Sequence, residues 1–383
     1  MTGMTPAEIE ARGHPVWAEV DLGAIRDNVA ALAALSAPAE VMGVVKGYAY
    51  GHGNPASARA MLDAGATRLG VARVAEALHL RDAGVTAPIH VFTEPPPAAA
   101  ALLVGADLVA TVYTREFAHA LEEAAGASGR RVPVHVKVDT GMHRVGLAAD
   151  DVDDAVRDLR SLPHLVIEGM WSHLAVADVP DHPFNRKQLD LFLEVIGRAE
   201  QGGVAVRYRH IANSAATLAF PDSRLDLVRC GIASYGLWPG PAFEGTVALR
   251  PAMALRARIN MAKQVPAGEA LSYGLRYELR RPSTVVTVPA GYADGYDRRL
   301  SGRAEVLIGG ERFRVSGTVC MDQFLVDVGE RSAKVGEVVT LLGVDGSETV
   351  SAEELAGHIG TINYEVTSRV PSRVPRVYKG PVE

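Results

Sequence analysis

A chain of 383 residues, 48% hydrophobic and 22% charged, is long enough to bury more than one core and too apolar to be disordered. Its net charge of −6, with Lys and Arg scattered among Asp and Glu, lacks the basic stripe that binding to a nucleic-acid backbone requires. No apolar run reaches the roughly 20 residues that cross a bilayer, the start at 1–12 is too polar for a secretory leader, and Cys230 and Cys320 stand alone, without ligand-spaced partners for a disulfide framework or a metal. The expectation is a cytoplasmic protein with no membrane or nucleic-acid partner and no metal.

The first strand-like run, 17–20, precedes the repeating part of the chain and is a candidate to pair with a later domain. From 41 to 236, short β-branched runs alternate with amphipathic stretches rich in Ala, Leu and Glu, the pattern of repeated βα units around a parallel sheet. Strands are predicted at 41–46, 68–72, 89–93, 108–113, 132–139, 166–173, 208–213 and 227–233, with helices between them such as 75–82, 116–125, 152–159 and 186–200. Eight units make a (β/α)8 TIM-like barrel. An open doubly wound sheet would carry G-x-G-x-x-G after its first strand, and none is present there. Past Trp238-Pro239-Gly240-Pro241 the texture changes to alternating runs with glycine turns, as at 284–288, 303–307 and 338–342. The expected organisation is α/β, a barrel over 14–245 followed by a mostly-β domain over 246–383.

Chemistry in such barrels gathers where strands end at the C-terminal face. The first strand delivers Lys46 into a glycine-rich turn, Val-Val-Lys-Gly-Tyr-Ala-Tyr-Gly-His-Gly over 44–53. An amine lifted out of water beside apolar residues favours its neutral, nucleophilic form. Taken alone, the segment reads first as a lysine snorkelling from a strand end. The fifth strand ends in Lys137-Val-Asp-Thr-Gly-Met-His-Arg144, the sixth in His173, the seventh in His210-Ile-Ala-Asn213-Ser214, and the eighth carries Arg229-Cys-Gly231-Ile232. Loops after strands seven and eight commonly form a phosphate cup, with backbone N–H groups as donors. Ser214, Gly231 and Ile232 fall there by strand count alone.

The Lys46 segment strongly resembles the pyridoxal-lysine motif of the alanine racemase family, and the resemblance covers nearly the whole chain. It implies pyridoxal 5'-phosphate held by Lys46 as a Schiff base, with Tyr50 and Tyr364 on the phosphate. The remaining cofactor contacts implied are His173, Asn213, Ser214, Arg229, Gly231 and Ile232. Gly47-Tyr48 departs from the Ala-Asn or Ala-Asp usual in the family, so any contact of that polar side chain is missing. Arg144 and the backbone of Met321 are the implied substrate contacts. Lys137 matches a position that is carbamylated in some members and braces the arginine. Ser272-Tyr273-Gly274 matches the motif of the second catalyst, with Tyr273 serving L-alanine and Lys46 serving D-alanine on opposite faces of Cα. Tyr292 and Arg298, in Gly-Tyr-Ala-Asp-Gly-Tyr-Asp-Arg, and Asp322, in Val-Cys-Met-Asp-Gln, are supporting residues on the same grounds. Arg229, with donors only, would keep a ring nitrogen unprotonated. The implied function is interconversion of L- and D-alanine, supplying D-alanine for peptidoglycan, by a homodimer with shared active sites. The alternatives are a related racemase for serine or a wider range of amino acids, and a pyridoxal-phosphate-binding or antibiotic-resistance protein. Broad-specificity relatives are typically exported, so the polar start favours alanine.

Overall fold

The computed structural model describes residues 6–380. The chain divides into two compact units. One comprises Ala24–Ala49 and Ser57–Arg250, the other residues 6–23, 50–56 and 251–380. Among the described residues no helix is long and apolar enough to cross a membrane.

The first unit is a parallel barrel. Its eight strands are Glu40–Val44, Ala66–Val71, Ile89–Val91, Val109–Val112, Val132–Asp139, Leu165–Trp171, Tyr208–His210 and Leu227–Cys230, each beside its sequence neighbour. The eighth returns to the first, with Arg229 opposite Met42. The seam between seventh and eighth carries two backbone–backbone bonds, Asp226 N–H to the Arg209 carbonyl at 3.3 Å and Arg229 N–H to the Ala212 carbonyl at 3.1 Å. Several strands stop short of the sequence expectation, because the chain turns aside once it leaves the ladder. Residues 232–235, for example, form a 3-10 turn ended by Gly236 at φ 78°. The helices follow their apolar periodicity. Arg115–Ser128 buries Phe117, Ala118, Leu121 and Ala125 along one stripe, is capped by the Thr114 hydroxyl, and stops at Gly129 in the left-handed region.

The second unit is built mainly of strands. Its larger sheet runs Glu311–Arg314, Glu305–Ile308, Val338–Asp345, Met253–Arg258, Val16–Asp21, Arg376–Lys379, with Glu348–Val350 on Val338–Asp345. Val16–Asp21 lies antiparallel to Met253–Arg258 and parallel to Arg376–Lys379. The early run at 17–20 therefore sits in the β unit, where Trp17 packs with Ile9 and Val377. A three-stranded sheet joins Met261–Val265, Ser283–Val288 and Phe324–Gly329, and a short hairpin pairs Ala270–Leu271 with Tyr277–Glu278.

Candidate active site

At the end of the first barrel strand the chain passes through Val45 to Lys46. Gly47, Tyr48, Ala49 and Tyr50 then take φ values of 62, 56, 55 and 51°, a left-handed turn. Residues with a Cβ adopt that conformation at roughly 1–2 kcal/mol each, so outside contacts must hold it. Glu76, in the first turn of the helix Val74–Asp82, supplies them. One carboxylate oxygen accepts from Gly47 N–H at 2.7 Å, and the other accepts from Ala72 and Arg73 N–H at 2.8 and 3.1 Å. Lys46 is open to solvent at its own surface. Desolvation at the strand end, then Arg144 and Arg229, hold its ammonium below the ordinary lysine range, with Glu76 opposing. A neutral amine is the nucleophilic and basic form.

Lys137 is buried, donates to the Val138 carbonyl at 3.1 Å, and lies 4.6 Å from the centre of the Trp171 ring. Desolvation and the Arg229 charge push its amine down to about 7. Two residues on, Asp139 accepts from Gly141 and His143 N–H at 2.9 and 3.0 Å, building the turn that presents the exposed Arg144.

Arg229 is buried among acceptors. One terminal nitrogen meets His210 Nδ1 at 3.0 Å. The other meets His173 Nδ1 at 3.0 Å and donates to the Ser172 and Ile211 carbonyls at 2.9 and 3.0 Å. Burial pushes its guanidinium down to about 9, still a cation at neutral pH, and burial with the Arg229 charge keeps His173 well below the usual histidine range. In the adjoining loops, Asn213 caps the turn Ser214–Ala219 by accepting from Ala216 N–H. The buried Ser214 hydroxyl accepts from Gly231 N–H at 2.9 Å and Ala233 N–H at 3.4 Å, tying the loop after strand seven to the one holding Gly231 and Ile232. Lys46, Lys137, Arg144, His173, Asn213, Ser214, Arg229, Gly231 and Ile232 thus share the barrel unit.

The remaining predicted residues lie in the β unit. Tyr50 and Tyr364 stand with ring centres 6.1 Å apart, and burial beside Tyr364 raises the Tyr50 phenol. Tyr273 is 73% exposed at a turn in which Ser272, Gly274 and Leu275 all have positive φ. Its carbonyl accepts from the Thr318 hydroxyl at 2.7 Å, while the Ser272 hydroxyl returns a bond to the Thr318 carbonyl at 2.7 Å. A cleft of about 500 Å³ lined by Met261, Ser272, Tyr273, Cys320 and Phe324 opens beside it. Tyr292 and Met321 are exposed, with Ala293 N–H bonded to the Met321 carbonyl at 3.0 Å. Gly291 permits that approach, since a Cβ there would stand 2.3 Å from the Cys320 and Met321 carbonyl oxygens. Arg373 bridges Asp322 and Asp294, both at 2.8 Å, and Arg298 is exposed at the start of a 3-10 turn.

Two groups escaped the sequence reading. Glu76 carries no motif, and its hydrogen bonds go to backbone amides. His90, His135 and His210 gather in the barrel interior. The i, i+2 spacing of His135 and Lys137 on one strand was the available signal, since alternate residues share a face.

Two family models match the chain, the N-terminal domain of alanine racemase over residues 20–239 and its C-terminal domain over 252–378. Fold and matches together define the class, an amino-acid isomerase built from a barrel and a β domain. The alanine racemase of Desulfovibrio desulfuricans is 43% identical over 367 residues, covering 95% of this chain and 98% of its own. That of Salinispora tropica is 45% identical, covering 94% and 97%. Among solved structures, alanine racemase from D-cycloserine producing Streptomyces lavendulae superposes with a TM-score of 0.92 at 41% identity over 96% and 97% of the two chains. The chain belongs to the alanine racemase family, and its activity is the interconversion of L- and D-alanine.

Proposed function

We propose that racemisation proceeds with pyridoxal phosphate at the mouth of the barrel, Lys46 and Tyr273 handling the Cα proton from opposite faces. The observation that carries this reading is the strand-end Lys46, its ammonium disfavoured by desolvation, Arg144 and Arg229. The donor set suits the cofactor's chemistry. An amine suits an aldehyde, a buried cation suits a ring nitrogen, and loops tied through the Ser214 hydroxyl suit a phosphate. When bound, the cofactor supplies the carbonyl that takes up the substrate amine and the electron sink that acidifies Cα–H. Lys46 takes the proton from D-alanine and Tyr273 the one from L-alanine, and each returns a proton on its own side. Arg144 and the Met321 backbone fix the substrate carboxylate. Tyr50, Tyr364, Asn213, Ser214, Gly231 and Ile232 hold the phosphate side, and His173 steadies Arg229.

Lys137, held near 7 as an amine, is suited to take up carbon dioxide. Its neutral nitrogen bonds to the carbon and one N–H proton leaves to solvent, so an amine without charge becomes a carbamate anion that braces Arg144. Two copies of the chain are proposed to share their sites, with Tyr273 and Met321 of one copy serving the barrel of the other. The apolar exposure of Met261, Tyr273, Leu275 and Met321 supports this arrangement.

A second reading, wider substrate specificity, has one observation behind it. Histidine racemase from Leuconostoc mesenteroides superposes with a TM-score of 0.89 at 28% identity, so this architecture accommodates another side chain. Optical rotation and Cα hydrogen exchange, followed with each enantiomer of alanine, serine, lysine and histidine, separate the readings. Loss of rotation is expected for alanine well above the others. Equal rates for a second amino acid would favour the wider racemase, and none for any of them would end the proposal.

A further inference from the structure

The interior of such a barrel is ordinarily packed with branched apolar side chains. Here it holds Arg68, His90, His135, His210 and Arg229, each at most 4% exposed, with Glu168 beside them. A β-bulge brings Glu168 in. Val134 pairs with Ile167 but His135 pairs with Gly169, so Glu168 is the extra residue of the sixth strand and its side chain is re-aimed. Gly169 leaves room for the imidazole it faces, because a Cβ there would lie 2.7 Å from His135 Cε1 and Nδ1.

The polar groups form one chain. Glu168 Oε2 meets His135 Nε2 at 3.0 Å, His135 Nδ1 meets His210 Nε2 at 2.7 Å, and His210 Nδ1 meets Arg229 at 3.0 Å. Guanidinium has no acceptor, so His210 Nδ1 must be bare and accept. The proton of His210 then sits on Nε2 and donates to His135 Nδ1, which must also be bare. His135 is left with its proton on Nε2, donating to Glu168. A donor at one end and an acceptor at the other allow a single protonation pattern, with both rings neutral. An added proton on either ring would set two donors against each other. Burial acts in the same direction on His135 and His210, and the bonds from His135 and Arg68 bring Glu168 down to about 2 despite its desolvation.

We propose that Glu168, His135 and His210 are positioning residues that relay one carboxylate charge through two aligned imidazoles, holding Arg229 charged and correctly aimed. Such a chain strengthens along its length, because each bond polarises the next. A divalent cation among the three histidines is the competing use of the cluster. The bonds joining His135, His210 and Arg229, with Arg68 and Arg229 already adding positive charge, favour the relay.

The assignment of Arg229 to the reaction rests on the racemase reading, whereas the protonation pattern does not. The test uses the full-length holoenzyme labelled with nitrogen-15 in histidine, read by ring-nitrogen NMR with His135→Gln and His210→Gln for assignment. Both rings should be protonated at Nε2 only, throughout the range where free histidine titrates. Glu168→Leu removes the terminal acceptor and should erase that single pattern, with kcat for alanine falling about tenfold and KM held. Glu168→Gln, which keeps an accepting oxygen, should restore the pattern and most of kcat. A proton on Nδ1 of either ring, a doubly protonated ring, a metal-ligated shift in the wild type, or an unchanged pattern in Glu168→Leu would overturn the proposal. The wild-type spectrum decides even if the leucine variant does not fold. A correct pattern in a protein that racemises nothing would leave the relay standing and remove only the role given to Arg229.

Discussion

The barrel unit and the β unit present their reactive groups in opposite ways. In the barrel, Lys137, His173 and Arg229 sit in desolvated surroundings that shift their protonation. In the β unit, Tyr273 and Met321 project from turns held through their own carbonyls, and the side chains themselves are exposed. The barrel therefore shifts the protonation of its groups, whereas the β unit aims Tyr273 and Met321 and shifts only the buried Tyr50. Tuning stores unfavourable energy in the free protein, and aiming does not.

The largest test of that contrast pairs Lys46→Ala with Tyr273→Phe. Each should lower kcat by about 10²–10⁴-fold, the usual weight of one acid/base group, and Lys46→Ala should also abolish borohydride-reducible attachment of the cofactor. Their stabilities should diverge. Removing Lys46 relieves its repulsion with Arg144 and Arg229, so with both proteins stripped of cofactor the variant should melt higher than wild type, while Tyr273→Phe should melt unchanged. Identical melting of the two would show that Lys46 carries no stored repulsion.

Next is Lys137. With its amine at about 7 when folded and an unfolded value of about 10.4, only the unfolded chain holds the proton between those limits. Stability in carbon-dioxide-free buffer should therefore rise with pH across that window and lie flat below it. Denaturant titrations of Lys137→Met should lose the slope, and a slope that survives would remove Lys137 from the tuned set. Carbon-13 NMR after labelled bicarbonate should show a carbamate in the wild type only; its absence there would end the carbamylation proposal. The smallest effect is expected from Glu76→Ala, which strips the carboxylate from the Gly47 amide. A loss of about 1–3 kcal/mol in urea unfolding, with faster hydrogen exchange at Gly47, is expected. Unaltered exchange would show that the left-handed turn holds itself.

Most of the barrel was legible because each strand is short, apolar and separated from the next by an amphipathic helix. The loops after strands seven and eight could be located by counting, and there the Ser214 hydroxyl does meet Gly231 N–H. The interior relay was not legible. Glu168 faces inward through a bulge, and bulges shift register without leaving a sequence mark. Nor does local pattern announce that the segment Tyr50–Ala56 belongs to the β unit. The Gly51 carbonyl is held there by the buried Arg376 guanidinium at 2.9 and 2.6 Å, a partner near the far end of the chain.

The parallel pairing of Val16–Asp21 with Arg376–Lys379 has a consequence for synthesis. Val16–Asp21 leaves the ribosome ahead of the barrel and borders two strands, both of them made only after the whole barrel sequence. Contacts of such long range form slowly. During translation both edges of Val16–Asp21 stay open, and an open edge is where strands from neighbouring chains add. Slower initiation, which thins out incomplete chains, should therefore raise the soluble yield of native protein.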